Sequence, residues 1–283
     1  MQPRAQDLEE DENGFELLCK KLYELSGIHL PKNQKNISLM SGRMIKVLHK
    51  MNLNNYNQFY KLLRANDEQA KKDFIEALTT HTTHFFRESI HFSTLTQLIS
   101  ENFINCPELR IWCGACSTGE EAYSLAMTLA ELKFPNLKFK ILATDIDKKV
   151  VDIANHGVYN SKNMSNISSD LLKKYFIKGN GDFKELYKVK NTIRDHLFFS
   201  TFNLIQDNYS FKNNFHIIFL RNVLIYFDKE TISKIIKKMS IFLDNNSYLF
   251  VGLSEAGVST LNRFTKISPG VLKRTLTNQE VDL

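Results

Sequence analysis

Residues Leu109 to Tyr123 read LRIWCGACSTGEEAY, and few folds accommodate that order. Leu109 to Trp112 is a short apolar run of β-forming character that breaks at Gly114 into small residues, Ala115 to Gly119. Helical spacing then begins at Glu120 and continues to Glu131. The spacing predicts a strand, a small-residue turn and a helix. Such a turn lets the backbone approach a ligand closely, and the helix behind it points unpaired N–H groups at that ligand. Open α/β sheets bind nucleotide-like cofactors at this junction.

The loop's chemistry narrows the cofactor. Gly114 and Gly119 match the outer glycines of a phosphate-binding P-loop, but Glu120 and Glu121 stand where that loop needs Lys and Ser or Thr. Two carboxylates repel a triphosphate and suit a cationic group such as an amino group. The glycine spacing of a dehydrogenase fingerprint is absent. Cys113 and Cys116 lie one residue from a thioredoxin motif, yet nothing downstream resembles the rest of a thioredoxin domain. They read as small buried fillers without an assigned function.

With 283 residues, 43% of them hydrophobic, the chain has material for a small and a large domain. No apolar run approaches the ~20 residues that cross a bilayer, and MQPRAQDLEEDENG is unlike a signal peptide, so a cytoplasmic protein without membrane insertion is expected. Four cysteines are too few for a disulfide framework, and no further ligands accompany the C-x-x-C, so no metal is expected. A net charge of +6 suggests an acidic partner, protein or nucleic acid.

Residues 1–14 read as a disordered lead. Phe15, Leu18, Leu22 and Leu25 predict a helix ending before Gly27, and three more helices follow, over about 33–51, 54–64 and 67–78, making a helical domain of residues 15–80. On the second of them Lys35, Arg43, Lys46 and Lys50 fall within a band of roughly 80°, a basic stripe that could dock an acidic partner. The Thr- and His-rich run from Thr79 to His84 is poor helix interior and reads as a functional loop before a helix from Ile90. A second strand ends at Thr144-Asp145, with its acidic residue about thirty positions beyond Gly114, where α/β folds place a ribose ligand. Ser168 to Ile177 reads as helical. Phe183 to Val189 and His196 to Phe202, joined by a turn near Asn191, read as a small antiparallel excursion. Phe215 to Leu220 reads as a buried parallel strand ending in Arg221-Asn222, at the edge where such sheets bind ligands. Asp228 then caps a helix, and Tyr248 to Leu253 is another buried strand. A closing hairpin turns at Pro269-Gly270.

FFRESIHF, LRIWCGACSTGEEAYSLAM, ILATDIDKKVVDIANHGVY, FNL, FHIIFLRNVLIYFDKET and LFVGLSE resemble, in order and with similar spacing over about residues 15 to 276, the motifs of the CheR chemotaxis-receptor methyltransferases. The resemblance implies a doubly wound class I methyltransferase (Rossmann-like α/β) domain over 81–283, with a small antiparallel β-subdomain inserted at about 179–202 and an all-α domain before it. It implies S-adenosylmethionine as cofactor, S-adenosylhomocysteine as product, and glutamate side chains of transmembrane chemoreceptors as substrate. The family's cofactor contacts fall on His81, where the family usually has Asn, and on Thr83, Arg87, Glu121, Asp145, Asn203, Leu204, Arg221 and Asn222. Arg87 and Tyr226 are assigned the positioning of the reactants. The cytoplasmic helical domains of receptors are the implied partners, and a receptor C-terminal tail could add to an open edge of the β-subdomain. A nucleic-acid amino-methyltransferase would show an Asn/Asp-Pro-Pro-aromatic tetrapeptide where this chain reads Arg221-Asn222-Val223-Leu224, so no nucleic-acid partner is expected. The remaining alternative is a cofactor-sensing or receptor-docking module without catalysis.

Overall fold

The computed structural model describes residues 3–132, 134, 137–258 and 263–275. They form two compact units. The first runs to Thr80 and takes in Asn203–Asp207 and Tyr226–Thr231, and the second holds the rest.

The first unit is built on helices Ala5–Glu9 (α1), Glu12–Ser26 (α2), Gln34–Lys50 (α3), Tyr56–Arg64 (α4) and Glu68–Leu78 (α5). Asp11, Asn33, Asn55 and Asp67 each accept a first-turn N–H of the helix that follows, which is why the longer helices begin where they do. Gly27 ends α2 at φ +73°, and a Cβ there would stand 2.7 Å from Ile205 Cγ1. Phe15, Leu18, Leu22, Met40, Met44, Phe59 and Phe74 make the core.

The chain's start corrects the expectation of a disordered lead over 1–14. α1 forms there, and α2 already begins at Glu12. Arg4 and Asp7 pair across its first turn, Ser41 Oγ donates to Glu9, and Leu8 is 2% exposed within the unit's core. One buried leucine is worth roughly 1.5–3 kcal/mol, enough to order a short segment whose composition is otherwise that of a solvated tail.

The second unit opens with Ile90–Asn102 (α6), then Leu109–Cys113 (β1), Glu120–Ala130 (α7), Phe139–Asp145 (β2) and Lys148–His156 (α8). An excursion follows through Val158–Asn160 (β3), Ser169–Tyr175 (α9), Phe176–Lys178 (β4), Leu186–Val189 (β5) and the single turn Asn191–Arg194 (α10). The chain then returns through Leu197–Thr201 (β6), Phe215–Leu220 (β7), Lys229–Ser240 (α11, begun in the first unit), Leu243–Val251 (β8), Phe264–Ser268 (β9) and Val271–Arg274 (β10). The main sheet has the order β6-β2-β1-β7-β8-β10-β9, parallel through β8 and antiparallel in the last two strands. From β1 the chain winds outward to β2 and β6, then returns to the other side of β1 as β7. The strand order therefore reverses between β1 and β7, the place where doubly wound sheets open a crevice.

Three expectations are corrected here. The small antiparallel sheet has the order β3-β5-β4 and draws on residues from Val158 onward, whereas β6 pairs in parallel with β2 as the outer strand of the main sheet. The residues between Val189 and Leu197 form not a hairpin turn but α10, whose Ile193 is fully buried and anchors the chain on its way back to the main sheet. The helix expected to reach Ile177 stops at Tyr175, because Phe176 is already hydrogen-bonding with β5 as a strand. Among the described residues no helix is long and apolar enough to cross a membrane.

Candidate active site

At the crevice, the Gly114 N–H continues the β1–β7 ladder onto Phe219 O at 2.8 Å, and the Cys116 N–H bonds Thr144 O at 2.9 Å. The loop then turns through Ser117 at φ +49° and Gly119 at φ +98°. At Gly119 a Cβ would lie 2.8 Å from Ala154 Cβ and 2.9 Å from the Tyr159 hydroxyl, so no side chain fits. That hydroxyl donates to Thr118 O at 2.7 Å and holds the loop from the side of β3.

Asp145 ends β2 with its carboxylate against this loop. Oδ2 accepts the Ser117 N–H at 2.8 Å and Oδ1 the Asp147 N–H at 3.1 Å. Burial raises its pKa against the pull of those two N–H groups. Each oxygen keeps a second lone-pair site, so the carboxylate can still accept from a diol. Asp147 caps α8 through Lys149 N and meets His81 Nε2 at 2.9 Å, clipping the Thr/His loop to the end of β2. Ser117 Oγ adds a contact to His81 O at 3.4 Å. Thr83 lies half-buried in that loop.

The loop then turns sharply. Phe85 is fully buried between Tyr159 and Phe176, the Phe86 N–H bonds Ser124 Oγ at 2.9 Å, and Phe86 and Glu88 adopt φ of +54° and +55°. The backbone thereby presents the Arg87 carbonyl to Arg221 while the Arg87 guanidinium bonds Thr82 O at 2.8 Å. Non-glycine residues at positive φ cost energy, and Phe86, Glu88, Ser117 and Asn222 cluster around one crevice.

Arg221, at the end of β7, is the hub. Its side chain is closed to solvent; Nη1 bonds Glu121 Oε2 at 2.6 Å, and Nη2 bonds Arg87 O at 2.6 Å and Glu88 Oε2 at 3.0 Å. The plane lies over the Phe92 ring. Glu121 also accepts the Cys113 thiol, which burial holds well above its usual pKa, in keeping with an inert buried filler. Asn222 Nδ2 donates to Glu88 Oε1 at 3.1 Å, and its backbone N–H to Glu255 Oε2 at 2.8 Å. Burial works to raise the Glu88 pKa, but the Asn222 and Arg221 hydrogen bonds outweigh it and leave it below the usual range. Glu255 is also buried, and there burial dominates and the pKa rises, although the Gly252, Asn222 and Ile225 N–H groups all point at the carboxylate.

The structure thus brings Arg87, Glu121, Arg221 and Asn222 together, and gathers His81 with Asp145 one loop away. Asn203, Leu204 and Tyr226 belong to the first unit. There Asn203 Nδ2 donates to Leu25 O, its Oδ1 accepts from Ile205 N, Leu204 is buried, and Tyr226 O accepts the His29 N–H. Glu88, Glu255 and the His81–Asp147 pairing join the site only in the folded structure. No spacing rule reveals them, because the loop before α6 supplies His81 and Glu88 while their partners follow β2, β7 and β8.

The residues fit S-adenosylmethionine: a diol acceptor at the end of β2, a glycine whose Cβ the fold forbids, and two carboxylates around one guanidinium beside the α7 N-terminus. The comparisons agree. The description "CheR methyltransferase, SAM binding domain" matches residues 81–271, and "CheR methyltransferase, all-alpha domain" matches 13–79. The chemotaxis protein methyltransferase of Salmonella typhimurium is 34% identical over 253 residues, 89% of this chain and 86% of its own length. That of Escherichia coli is 33% identical over 253 residues, covering 89% and 87%. Chemotaxis protein methyltransferase 2 of Pseudomonas aeruginosa is 35% identical over 243 residues, 85% of each chain. With this geometry and these relatives, the chain belongs to the CheR methyltransferases, a family of S-adenosylmethionine-dependent enzymes.

Proposed function

We propose that this methyltransferase esterifies glutamate side chains on the cytoplasmic helical domains of chemoreceptors, acting in the cytoplasm. The observation that carries the reading is the Glu121–Arg221 pair at the switch point with Asp145 at the end of the adjoining strand. Bound S-adenosylmethionine would supply an electrophilic methyl group with its own leaving group. A glutamate acceptor, with an ordinary pKa of about 4.3, is already ionised at neutral pH, so no general base is required. The protein's task is then to hold two reactants in line. Glu121 takes the cofactor's amino group, Asp145 its ribose, and Arg221, Asn222, His81 and Thr83 shape the surrounding walls. Arg87 and Tyr226 guide the acceptor carboxylate. The family resemblance adds Asn203 and Leu204.

Residues 15–80 and their basic face serve receptor docking in this reading. Arg43 is tied to Ala77 O, Thr79 O and Thr80 Oγ1 at the end of α5, and Lys50 to the buried Asp73 at 2.8 Å, so Lys35 and Lys46 are the cations best placed to meet an acidic partner. A receptor tail would add to β4, which has no neighbour on its far side in the small sheet among the described residues. Labelled S-adenosylmethionine and receptor-bearing membranes test the proposal: base-labile methyl esters on receptor glutamates are expected. Cofactor binding without such esters would leave only a docking or sensing module.

A further inference from the structure

We propose that Glu88 is a positioning residue that sets the polarity of the cofactor pocket's cationic end: it turns Asn222 into a hydrogen-bond acceptor and gives the Arg221 cluster a net negative charge. The inference rests on the cofactor reading above and adds to it a residue from the loop that precedes α6.

A carboxylate can only accept, so the Asn222 amide must face Glu88 Oε1 with its nitrogen, at 3.1 Å, and its oxygen is what it presents elsewhere. The orientation is braced from the other side. The Asn222 N–H is held by Glu255 Oε2 at 2.8 Å, the Gly252 N–H meets the same oxygen at 2.6 Å, and the Leu253 N–H reaches Glu88 Oε2 at 3.2 Å. Two carboxylates thus clasp one left-handed asparagine, at φ +57°, between the ends of β7 and β8. Gly252 leaves room for the clasp, since a Cβ there would lie 2.7 Å from both Asn222 Nδ2 and Glu255 Oε2. On the Arg221 side the count is one guanidinium against Glu88 and Glu121, a surplus of one negative charge on side chains only 0%, 16% and 12% exposed. S-adenosylmethionine carries a sulfonium that S-adenosylhomocysteine lacks, so a charge placed here acts on the first more than on the second.

The test compares the two ligands by calorimetry. Glu88→Gln keeps the shape, removes the charge and lets the Asn222 amide flip; it should weaken S-adenosylmethionine on the order of tenfold and S-adenosylhomocysteine clearly less, lowering the ratio of their affinities. Asn222→Gly keeps the left-handed backbone, and combining it with Glu88→Gln should weaken S-adenosylhomocysteine by less than the product of the two single effects. A merely structural Glu88 would instead lower the melting temperature and weaken both ligands equally, and that outcome overturns the proposal. An unchanged affinity ratio in a folded Glu88→Gln protein overturns it too. A wild-type protein that binds neither ligand would overturn the cofactor reading itself, and this inference with it.

Discussion

The Arg221 guanidinium and the Glu121 carboxylate meet at 2.6 Å with the arginine wholly shielded from solvent. A planar fork that also reaches Glu88 and the Arg87 carbonyl cannot be replaced by a point charge on a flexible stem. Arg221→Lys should raise the dissociation constant for S-adenosylhomocysteine at least tenfold, on the order of 1.4 kcal/mol or more, and lower the melting temperature by leaving buried carboxylates underpaired. Calorimetry and thermal melts on the purified variant check both. Unchanged binding would remove the pair from the site.

Asp145→Ala is expected to weaken the cofactor by roughly 1–3 kcal/mol. The structure adds a local cost, because the Ser117 and Asp147 N–H groups lose their acceptor. Asp145→Asn, which keeps one acceptor oxygen, should recover part of the loop's order and less of the affinity. Amide exchange at Ser117 and Asp147, read beside the binding curve, separates the two effects.

Protonation should matter through His91 and His216, both of whose pKa values are pushed below the ordinary histidine value first by burial and then by a nearby arginine, Arg221 or Arg110. Each is neutral when folded at a pH where the unfolded chain binds a proton. Stability should therefore be complete above about pH 6.5 and fall as the pH drops below it. His216→Asn, whose amide oxygen can take the place of Nδ1 and still accept the Arg110 N–H, should flatten the slope of unfolding free energy between about pH 7 and pH 5. An identical slope in urea titrations would refute the assignment.

Leu8→Ala should destabilise the protein by about 2–4 kcal/mol, since the side chain is buried in the first unit's core. A urea midpoint equal to that of the wild type would mean that α1 contributes nothing.

Lys35→Glu with Lys46→Glu should raise the Michaelis constant for receptor and reduce its salt dependence, leaving cofactor affinity unchanged. Arg43 and Lys50 are poor sites for this experiment because their charges hold α5 and Asp73. Salt dependence equal to the wild type's would reduce the stripe to a solvated face.

The strand, loop and helix around Gly114 and Gly119 were legible in sequence because one period change and two glycines announce them, and Gly27 marked the end of α2 just as clearly. β8 was legible only in part. Asp244, Asn245, Asn246 and Ser247 look like a turn, yet they lie within the strand, which absorbs a register shift against β7 and a φ of +67° at Asn246. β6 was recognised as a strand and given the wrong neighbour, since alternation reports a pleat and not what lies beside it. Arg221 and Glu121 could be matched to motifs, whereas Glu88 and Glu255 acquire their meaning only when the ends of β7 and β8 come together.

Tyr159 belongs to β3 of the small sheet, yet its hydroxyl holds Thr118 and its ring edge packs on Phe85. The small sheet is therefore not a cassette that evolution can exchange at will. A lineage that rebuilt it would have to keep a phenol at this position, or remodel the glycine loop and the Phe85–Glu88 turn together. The small sheet and the cofactor loop are tied together through one side chain.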